Sequence, residues 1–232
     1  MSINAEQPQD SRILIVDDHP LFRQGLREMI LREPGWQVCG EAANATEAFR
    51  LVEETKPDLV IVDISLDQTD GIELIQALGK KNPELPMLVV SMHDESLYSE
   101  RSINAGAMGY VMKLEPPNIV RTAIHRVLEG EMYLSHKMAM SLIAKLTHGD
   151  NTVPKETPQD RLSERELEVF RLLGMGKGAR QLAQELDITV ATVNSFRARI
   201  KEKLHLKSST ELMLHAINWV NEQADRNLPF NR

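Results

Sequence analysis

The sequence predicts a parallel α/β domain followed by a smaller all-helical domain. Short apolar runs recur before residue 113, and stretches of helical length separate them. Residues 161–232 contain closely spaced amphipathic patterns instead. A segment with two prolines and almost no apolar residue, residues 147–160, lies between these parts. These three observations indicate two unlike domains joined by a linker.

The first part has five predicted strands, at residues 12–16, 36–40, 59–62, 87–91 and 108–112. Helical patterns follow them near residues 19–33, 45–54, 71–80, 96–105 and 116–129. The run Leu59-Val-Ile-Val62 is wholly aliphatic, which is typical of a strand covered on both faces of a parallel sheet. Regular alternation of strands and helices favours a flavodoxin-like (βα)5 doubly wound sheet.

The last part has four predicted helices, at residues 163–173, 179–186, 190–204 and 210–220. Ser163 and Glu166 have the spacing of a capping box, and Thr189 can cap the third helix. A short turn separates the second and third helices, which predicts a helix-turn-helix. The apolar stripe expected to bury the third helix comprises Val190, Val193, Phe196, Ile200 and Leu204.

From these patterns we expect an α/β domain at residues 11–131, a linker at 132–160 and a helix-turn-helix domain at 161–224. The linker is expected to begin as a short helix over residues 135–146, because Met138, Leu142, Ile143 and Leu146 have helical spacing.

Charge is divided unevenly between the two parts. Residues 1–134 carry 12 Lys and Arg against 22 Asp and Glu, whereas residues 161–232 carry 12 against 9. This division suggests that only the second part contacts a polyanion. The single cysteine, Cys39, excludes a disulfide framework, and no run approaches the length of a membrane span. A soluble, cytoplasmic protein is expected.

Polar residues follow four of the predicted strands: Asp17 and Asp18, Asp63, Ser91, and Lys113. The carboxyl ends of parallel strands line the ligand crevice of a doubly wound sheet, so these side chains should converge. Carboxylates suit Mg²⁺, and without a cation they would raise one another's pKa. An aspartate beside a cation and a hydroxyl donor can also accept a phosphoryl group.

The set Asp17-Asp18, Asp63, Asp70-Gly71, Ser91, Ala105-Gly106-Ala107, Tyr110 and Lys113 resembles the receiver domain of response regulators over about residues 11–130. The resemblance implies that Asp63 is the phosphoacceptor and that Lys113 contacts the phosphoryl group. It also implies that Mg²⁺ is held by Asp17, Asp18, Asp63 and the Ser65 carbonyl. Ser91 and Tyr110 would form the switch pair.

The motifs Leu162-Ser-Glu-Arg-Glu-Leu-Glu-Val, Leu182-Ala-Gln-Glu-Leu, Ile188-Thr-Val-Ala-Thr-Val and Ile200-Lys-Glu-Lys-Leu resemble the LuxR-type DNA-binding domain. Joined to a receiver, this domain is typical of NarL/FixJ-type response regulators. Residues of the third helix expected to be exposed and to contact DNA are Thr192, Asn194, Ser195, Arg197, Arg199, Lys201 and Lys203. The resemblance also implies a dimerisation surface on the fourth helix, with Leu212, Leu214, Ile217 and Val220 as candidates, although a core role for them is an open alternative.

The expected function is that of a two-component transcriptional regulator rather than an enzyme. A sensor histidine kinase would phosphorylate Asp63, the added charge would draw Ser91 and then Tyr110 inward, and a homodimer would bind double-stranded DNA. One alternative is a haloacid-dehalogenase-type phosphatase, although Ser65 stands where that class has its second aspartate. Another is a receiver protein that acts through protein contacts without binding DNA.

Overall fold

The computed structural model describes residues 10–66, 69–93, 95–140 and 158–226. The chain divides into two compact units, Met1–Asn151 and Thr152–Arg232. The first unit is an α/β domain and the second is helical, so the predicted fold class is confirmed.

The α/β unit alternates strands and helices along the chain. Its five main strands are β1 (Ser11–Val16), β2 (Trp36–Ala42), β3 (Leu59–Val62), β6 (Met87–Ser91) and β7 (Gly109–Met112). Its helices are α1 (Pro20–Leu31), α2 (Ala45–Thr55), α3 (Gly71–Lys81), α4 (Glu95–Asn104) and α5 (Pro117–Leu128). A small hairpin that the sequence did not predict, β4 (Ser65–Leu66) with β5 (Thr69–Asp70), lies between β3 and α3.

The main sheet is parallel and has the order β2-β1-β3-β6-β7. This order places β3 at the centre, and all four of its residues are buried. Its wholly aliphatic sequence follows from that position, since helices cover both faces of a doubly wound sheet. Helices α1 and α5 cover one face, where they form a core with the apolar side chains of the sheet.

Side-chain caps fix where several of these helices begin. Asn44 accepts a hydrogen bond from the Glu47 N–H at 2.9 Å, and Asp70 accepts one from the Ile72 N–H at 2.9 Å. Helix α1 instead has Pro20 at its first turn, where no N–H is needed. The loops before α1 and α3 are therefore held close to the carboxyl edge of the sheet.

The helical unit contains α7 (Pro158–Arg161), α8 (Glu164–Gly174), α9 (Ala179–Glu185), α10 (Val190–Lys203) and α11 (Ser209–Arg226). Its core includes Leu167, Phe170, Leu182, Val193 and Trp219, which are all buried. Helices α8 and α11 approach closely because Gly174 faces α11. A Cβ at Gly174 would lie 2.4 Å from the Ala216 carbonyl oxygen and 2.6 Å from Val220 Cγ2.

The predicted linker differs from the structure at its end. Residues 158–160, expected to be irregular, begin helix α7. The short helix predicted over residues 135–146 is present over residues 136–140, here named α6, while residues 141–157 lie outside the described part. Within the described ranges, every helix is too short or too polar to cross a membrane.

Candidate functional site: an acidic centre and a helix-turn-helix

Four neighbouring strands bring polar side chains to one edge of the main sheet. Asp17 follows β1, Asp63 follows β3, Ser91 ends β6 and Lys113 follows β7. The strand register places these residues at the same height along the sheet edge. The Asp63 N–H donates to the Val16 carbonyl at 2.8 Å, and the Lys113 N–H donates to the Ser91 carbonyl at 2.7 Å. The predicted convergence of these residues is therefore present.

Lys113 joins two of the acids. Its Nζ lies 2.7 Å from Asp63 Oδ2 and 2.7 Å from Asp17 Oδ2. The same Nζ lies 4.5 Å from the centre of the Phe22 ring, so an aromatic face also contacts the cation. One ammonium group therefore compensates two buried carboxylates.

The two carboxylates respond differently to burial. Burial alone would raise the pKa of Asp63, but the nearby His19 ring and the charge and hydrogen bond of Lys113 outweigh it, and the pKa lies below its ordinary value. Burial and the neighbouring charge of Asp63 raise the pKa of Asp17 despite its contact with Lys113. The pKa values of the two neighbouring carboxylates therefore shift in opposite directions.

His19 is part of this centre, and the sequence analysis missed it. Its Nδ1 lies 2.7 Å from Asp18 Oδ1, 3.3 Å from Asp17 Oδ1 and 3.6 Å from Asp63 Oδ2. The nearby Asp63 carboxylate raises the pKa of His19, although burial opposes this. The sequence feature that could have identified His19 is its position directly after two acidic residues at the end of a strand.

The acidic centre, defined as Asp17, Asp18, His19, Asp63 and Lys113, has the donor set of a divalent-cation site. One ligand atom from each of Asp17, Asp18, His19 and Asp63 lies within 4.8 Å of the others. Asp18 Oδ1 is buried and lacks a hydrogen bond of good geometry among the described residues. Three carboxylates exceed the charge that Lys113 supplies, so these residues fit a hard cation such as Mg²⁺.

A tight loop holds Asp63 in place. The Ser65 N–H donates to Asp63 Oδ1 at 3.1 Å, and the Gly71 N–H donates to the Ile64 carbonyl at 3.0 Å. A Cβ at Gly71 would lie 2.4 Å from Ile64 Cα and 2.5 Å from the Asp63 carbonyl oxygen. A residue without a side chain is therefore required where α3 begins.

Ser91 and Tyr110 lie on adjacent strands beside the acidic centre. Ser91 Oγ accepts a hydrogen bond from the His93 N–H at 3.3 Å, and the Tyr110 hydroxyl donates to the His93 carbonyl at 3.0 Å. The His93 ring also contacts Ser65 Oγ at 2.5 Å and packs against Tyr98. Tyr110 is only 1% exposed, so its side chain points inward.

In the second unit, α9 and α10 form the predicted helix-turn-helix. The Ile188 N–H donates to the Ala183 carbonyl at 2.9 Å, and Asp187 has a φ of 52°. Thr189 then accepts a hydrogen bond from the Thr192 N–H at 3.1 Å. These bonds satisfy the ends of both helices and fix the turn between them.

Burial along α10 separates an inner and an outer face. Val193 and Ile200 are buried, as predicted, whereas Phe196 and Leu204 are only half-buried. Val190 is 40% exposed, so its predicted burial is wrong; it is the first residue of the helix, and the buried stripe begins one turn later. The exposed residues include Asn194, Ser195, Arg199 and Lys203, while Thr192, Arg197 and Lys201 are half-buried.

Lys203 makes a contact within its own domain. Its Nζ lies 2.6 Å from Glu166 Oε2, and this carboxylate also accepts the Ser163 N–H at 2.8 Å. The predicted capping box is present, and Lys203 extends it from α8 to the end of α10. This role for Lys203 was not expected from the sequence, where the residue looked like a DNA contact.

Two family models match the chain. Residues 13–125 match the response regulator receiver domain, and residues 160–216 match the bacterial regulatory proteins of the luxR family. The transcriptional regulatory protein LiaR of Bacillus subtilis is 32% identical over 208 residues, which cover 88% of this chain and 96% of LiaR. The response regulator GacA of Pseudomonas aeruginosa is 32% identical over 206 residues, which cover 89% of this chain and 95% of GacA.

The chain belongs to the two-component response regulators of the LuxR type. It is a transcriptional regulator with a receiver domain and a DNA-binding domain. A crystal structure of a LuxR-family response regulator from Aurantimonas sp. SI85-9A1 matches with a TM-score of 0.56 and 37% identity, covering 60% of this chain and 99% of that one. The relatives named here are a transcriptional regulatory protein and two response regulators.

The four candidate dimerisation residues of this response regulator have different environments. Leu212 is 1% exposed and belongs to the domain core, so the structure contradicts a surface role for it. Its side chain turns inward because it shares a helix face with the buried Ala216 and Trp219. Leu214 is 58% exposed, and Ile217 and Val220 are half-buried.

Proposed function

We propose that this response regulator accepts a phosphoryl group on Asp63 from a phosphohistidine of a sensor histidine kinase. The observation that carries the proposal is the pair of 2.7 Å contacts from Lys113 to Asp63 and Asp17. They place a cation against a buried carboxylate whose pKa is lowered. An ionised carboxylate beside a positive charge is what nucleophilic attack on phosphorus needs.

In this step an Asp63 oxygen attacks the phosphorus atom and the phosphorus–nitrogen bond breaks. The imidazole, protonated on its other ring nitrogen, leaves as a neutral ring with the electron pair of that bond. Lys113 would then exchange its contact with Asp63 for a phosphoryl oxygen, and the Ser91 hydroxyl would donate to another. Both groups are already on the adjoining strands β6 and β7.

Asp17, Asp18 and Asp63, with the Ser65 carbonyl, would hold Mg²⁺. Bound there, Mg²⁺ neutralises the phosphoryl oxygens as charge develops on them. The charges of the side chains support this assignment, because burial and the neighbouring charge of Asp63 raise the pKa of Asp17 despite its contact with Lys113.

Phosphorylation would promote a homodimer that binds two half-sites on double-stranded DNA about one helical turn apart. Helix α10 would enter the major groove. Asn194 and Ser195 would be closest to base edges, and Arg199 with the half-buried Thr192, Arg197 and Lys201 would position the helix on phosphates. Lys203 would mainly stabilise the helical domain, through its contact with Glu166, rather than contact DNA. A regulator of bacterial DNA would act in the cytoplasm.

Labelling by acetyl phosphate with Mg²⁺ tests the assignment of Asp63. We expect the wild type to take up about one phosphoryl group per chain at Asp63, and a chelator to suppress uptake. Asp63→Asn should take up none, whereas the control Asp58→Asn, at the opposite end of β3, should behave as the wild type. Equal labelling of Asp63→Asn would disprove the assignment, and sustained hydrolysis of phosphate esters would favour the phosphatase alternative.

A further inference from the structure

The chain leaves the receiver domain alongside strand β7. Gly130 turns the chain after α5 with a φ of +81°, and residues 131–135, here named the exit segment, follow it. Tyr133 forms a parallel bridge with Gly109. The Tyr133 N–H donates to the Met108 carbonyl at 2.9 Å, and the Tyr110 N–H donates to the Tyr133 carbonyl at 3.3 Å.

This docking depends on the absence of a side chain at Gly109. A Cβ there would lie 2.9 Å from the Tyr133 carbonyl oxygen and 3.1 Å from Tyr133 Cβ, and also 2.9 Å from Leu88 Cδ1 at the far end of a flexible side chain. A glycine within a strand often marks such a close approach of another backbone. The exit segment is therefore fitted to the edge of β7 at the position next to Tyr110.

The exit segment is anchored at its other end as well. Ser135 Oγ accepts a hydrogen bond from the Met138 N–H at 3.1 Å, which starts helix α6. Met138 is buried, and the Tyr133 side chain packs against the core beneath α1 and α5. A change in the docking of Tyr133 would thus be passed directly to α6.

A chain of hydrogen bonds connects this segment with Ser91, which lies beside the acidic centre. Ser91 Oγ accepts from the His93 N–H, the His93 carbonyl accepts from the Tyr110 hydroxyl, and the Tyr110 N–H donates to Tyr133. The two bonds of Tyr110 lie at opposite ends of the residue, one on its side chain and one on its backbone. A displacement of His93 would therefore alter the backbone of β7 where the exit segment is docked.

We propose that the exit segment transmits the state of Asp63 to the DNA-binding domain, by docking on β7 differently before and after phosphorylation. The inference rests on the proposed function, because it requires Ser91 to turn toward a phosphoryl group on Asp63. That turn breaks the bond from the His93 N–H, and the shift of His93 moves Tyr110 and then Tyr133.

Two variants of the full-length protein perturb the docking without touching the acidic centre. Gly109→Ala places a methyl group against Tyr133, and Tyr133→Pro removes the N–H that binds Met108. Gly79→Ala is the control for the first, because its Cβ meets only Met87 Cε, at 3.5 Å. Tyr133→Phe is the control for the second, because it keeps both backbone bonds.

For each protein, affinity for a duplex selected by the wild type is measured with and without beryllium trifluoride and Mg²⁺. In the wild type and both controls we expect the phosphoryl mimic to raise DNA affinity about 5–150-fold, the usual range of allosteric coupling. In Gly109→Ala and Tyr133→Pro the ratio should fall by at least about fivefold. Uptake of acetyl phosphate at Asp63 should change by less than about twofold, because the acidic centre is intact.

Hydrogen exchange on the wild type provides an independent test. The Tyr110 and Tyr133 amides should change their protection when beryllium trifluoride binds. The inference is overturned if these amides do not respond, or if folded Gly109→Ala and Tyr133→Pro proteins keep the wild-type affinity ratio. If instead the wild type neither binds the mimic nor changes its DNA affinity, the proposed function fails together with this inference.

Discussion

Lys113 Nζ lies 2.7 Å from Asp63 Oδ2, and the two side chains are 2% and 1% exposed. The same Nζ is equally close to Asp17 Oδ2. A buried ion pair contributes little net stability when both partners are present, but loss of one partner leaves a buried charge without compensation. Lys113 therefore has a structural role before any phosphoryl group arrives.

Lys113→Ala should destabilise the receiver domain by about 3–5 kcal/mol when Mg²⁺ is absent. Added Mg²⁺ should recover part of the loss. Lys81→Ala is the matched control, because Lys81 pairs with Glu53 on the surface and its removal should cost at most about 1 kcal/mol. Native-state hydrogen exchange of the β3 amides measures both effects. Equal losses in the two variants would contradict this account of the buried cation.

Gly71→Ala should disturb the loop that carries Asp63. Its Cβ would meet the backbone of Ile64 and Asp63 at 2.5 Å or less, so the loop must shift, at a cost of about 1–3 kcal/mol. Phosphoryl uptake from acetyl phosphate should fall at the same time. Gly25→Ala, a helix position with nothing within 4 Å, should be neutral or stabilising. Unchanged uptake in Gly71→Ala would show that the loop tolerates the shift.

Removal of the Arg199 side chain should affect DNA affinity, whereas removal of the Lys203 side chain should affect stability. Arg199→Ala should weaken binding to all duplexes similarly and lower the salt slope by about one, because an exposed cation of α10 would be lost. Lys203→Ala should mainly destabilise the helical domain, by about 1–2 kcal/mol, because the buried Glu166 loses its partner. Salt titrations and exchange of the α8 amides separate the two effects. If Lys203→Ala lowered the salt slope more than Arg199→Ala does, Lys203 would be a DNA contact after all.

Substitution of Leu214 should affect dimerisation, whereas substitution of Leu212 should affect folding stability. Leu214→Ala removes an exposed side chain and should weaken self-association in beryllium trifluoride with little loss of stability. Leu212→Ala creates a cavity in the core and should destabilise the domain by about 2–5 kcal/mol. Sedimentation over the micromolar range reports the first effect, and urea unfolding reports the second. Unaltered association in Leu214→Ala would move the dimerisation surface away from this part of α11.

The acidic centre was largely predictable, because the topology of a parallel sheet determines where the residues after each strand lie. Once β1, β3, β6 and β7 were recognised from their apolar runs, the residues after them had to meet at one edge. Asp63, Ser91 and Lys113 could therefore be placed together without coordinates. The capping box of Ser163 and Glu166 was equally accessible, because it depends on residues three positions apart.

Contacts between distant, individually ordinary residues could not be predicted. The pair of Lys203 and Glu166 joins two helices, and the bridge between Gly109 and Tyr133 requires a docked segment with no strand pattern. Val190 and Leu212 show the limit of helical periodicity. It identifies an apolar face but does not tell where contact with neighbouring helices begins, or which apolar side chains remain outside the core.

Phosphorylation of Asp63 should control DNA binding, and DNA affinity measured under four conditions decides whether it does. Wild type and Asp63→Asn are each titrated on a duplex selected by the phosphorylated wild type, with and without acetyl phosphate and Mg²⁺. The account predicts that acetyl phosphate raises the affinity of the wild type about 5–150-fold and leaves Asp63→Asn unchanged. An equal increase in both proteins, or none in a wild type shown to be phosphorylated, would contradict it.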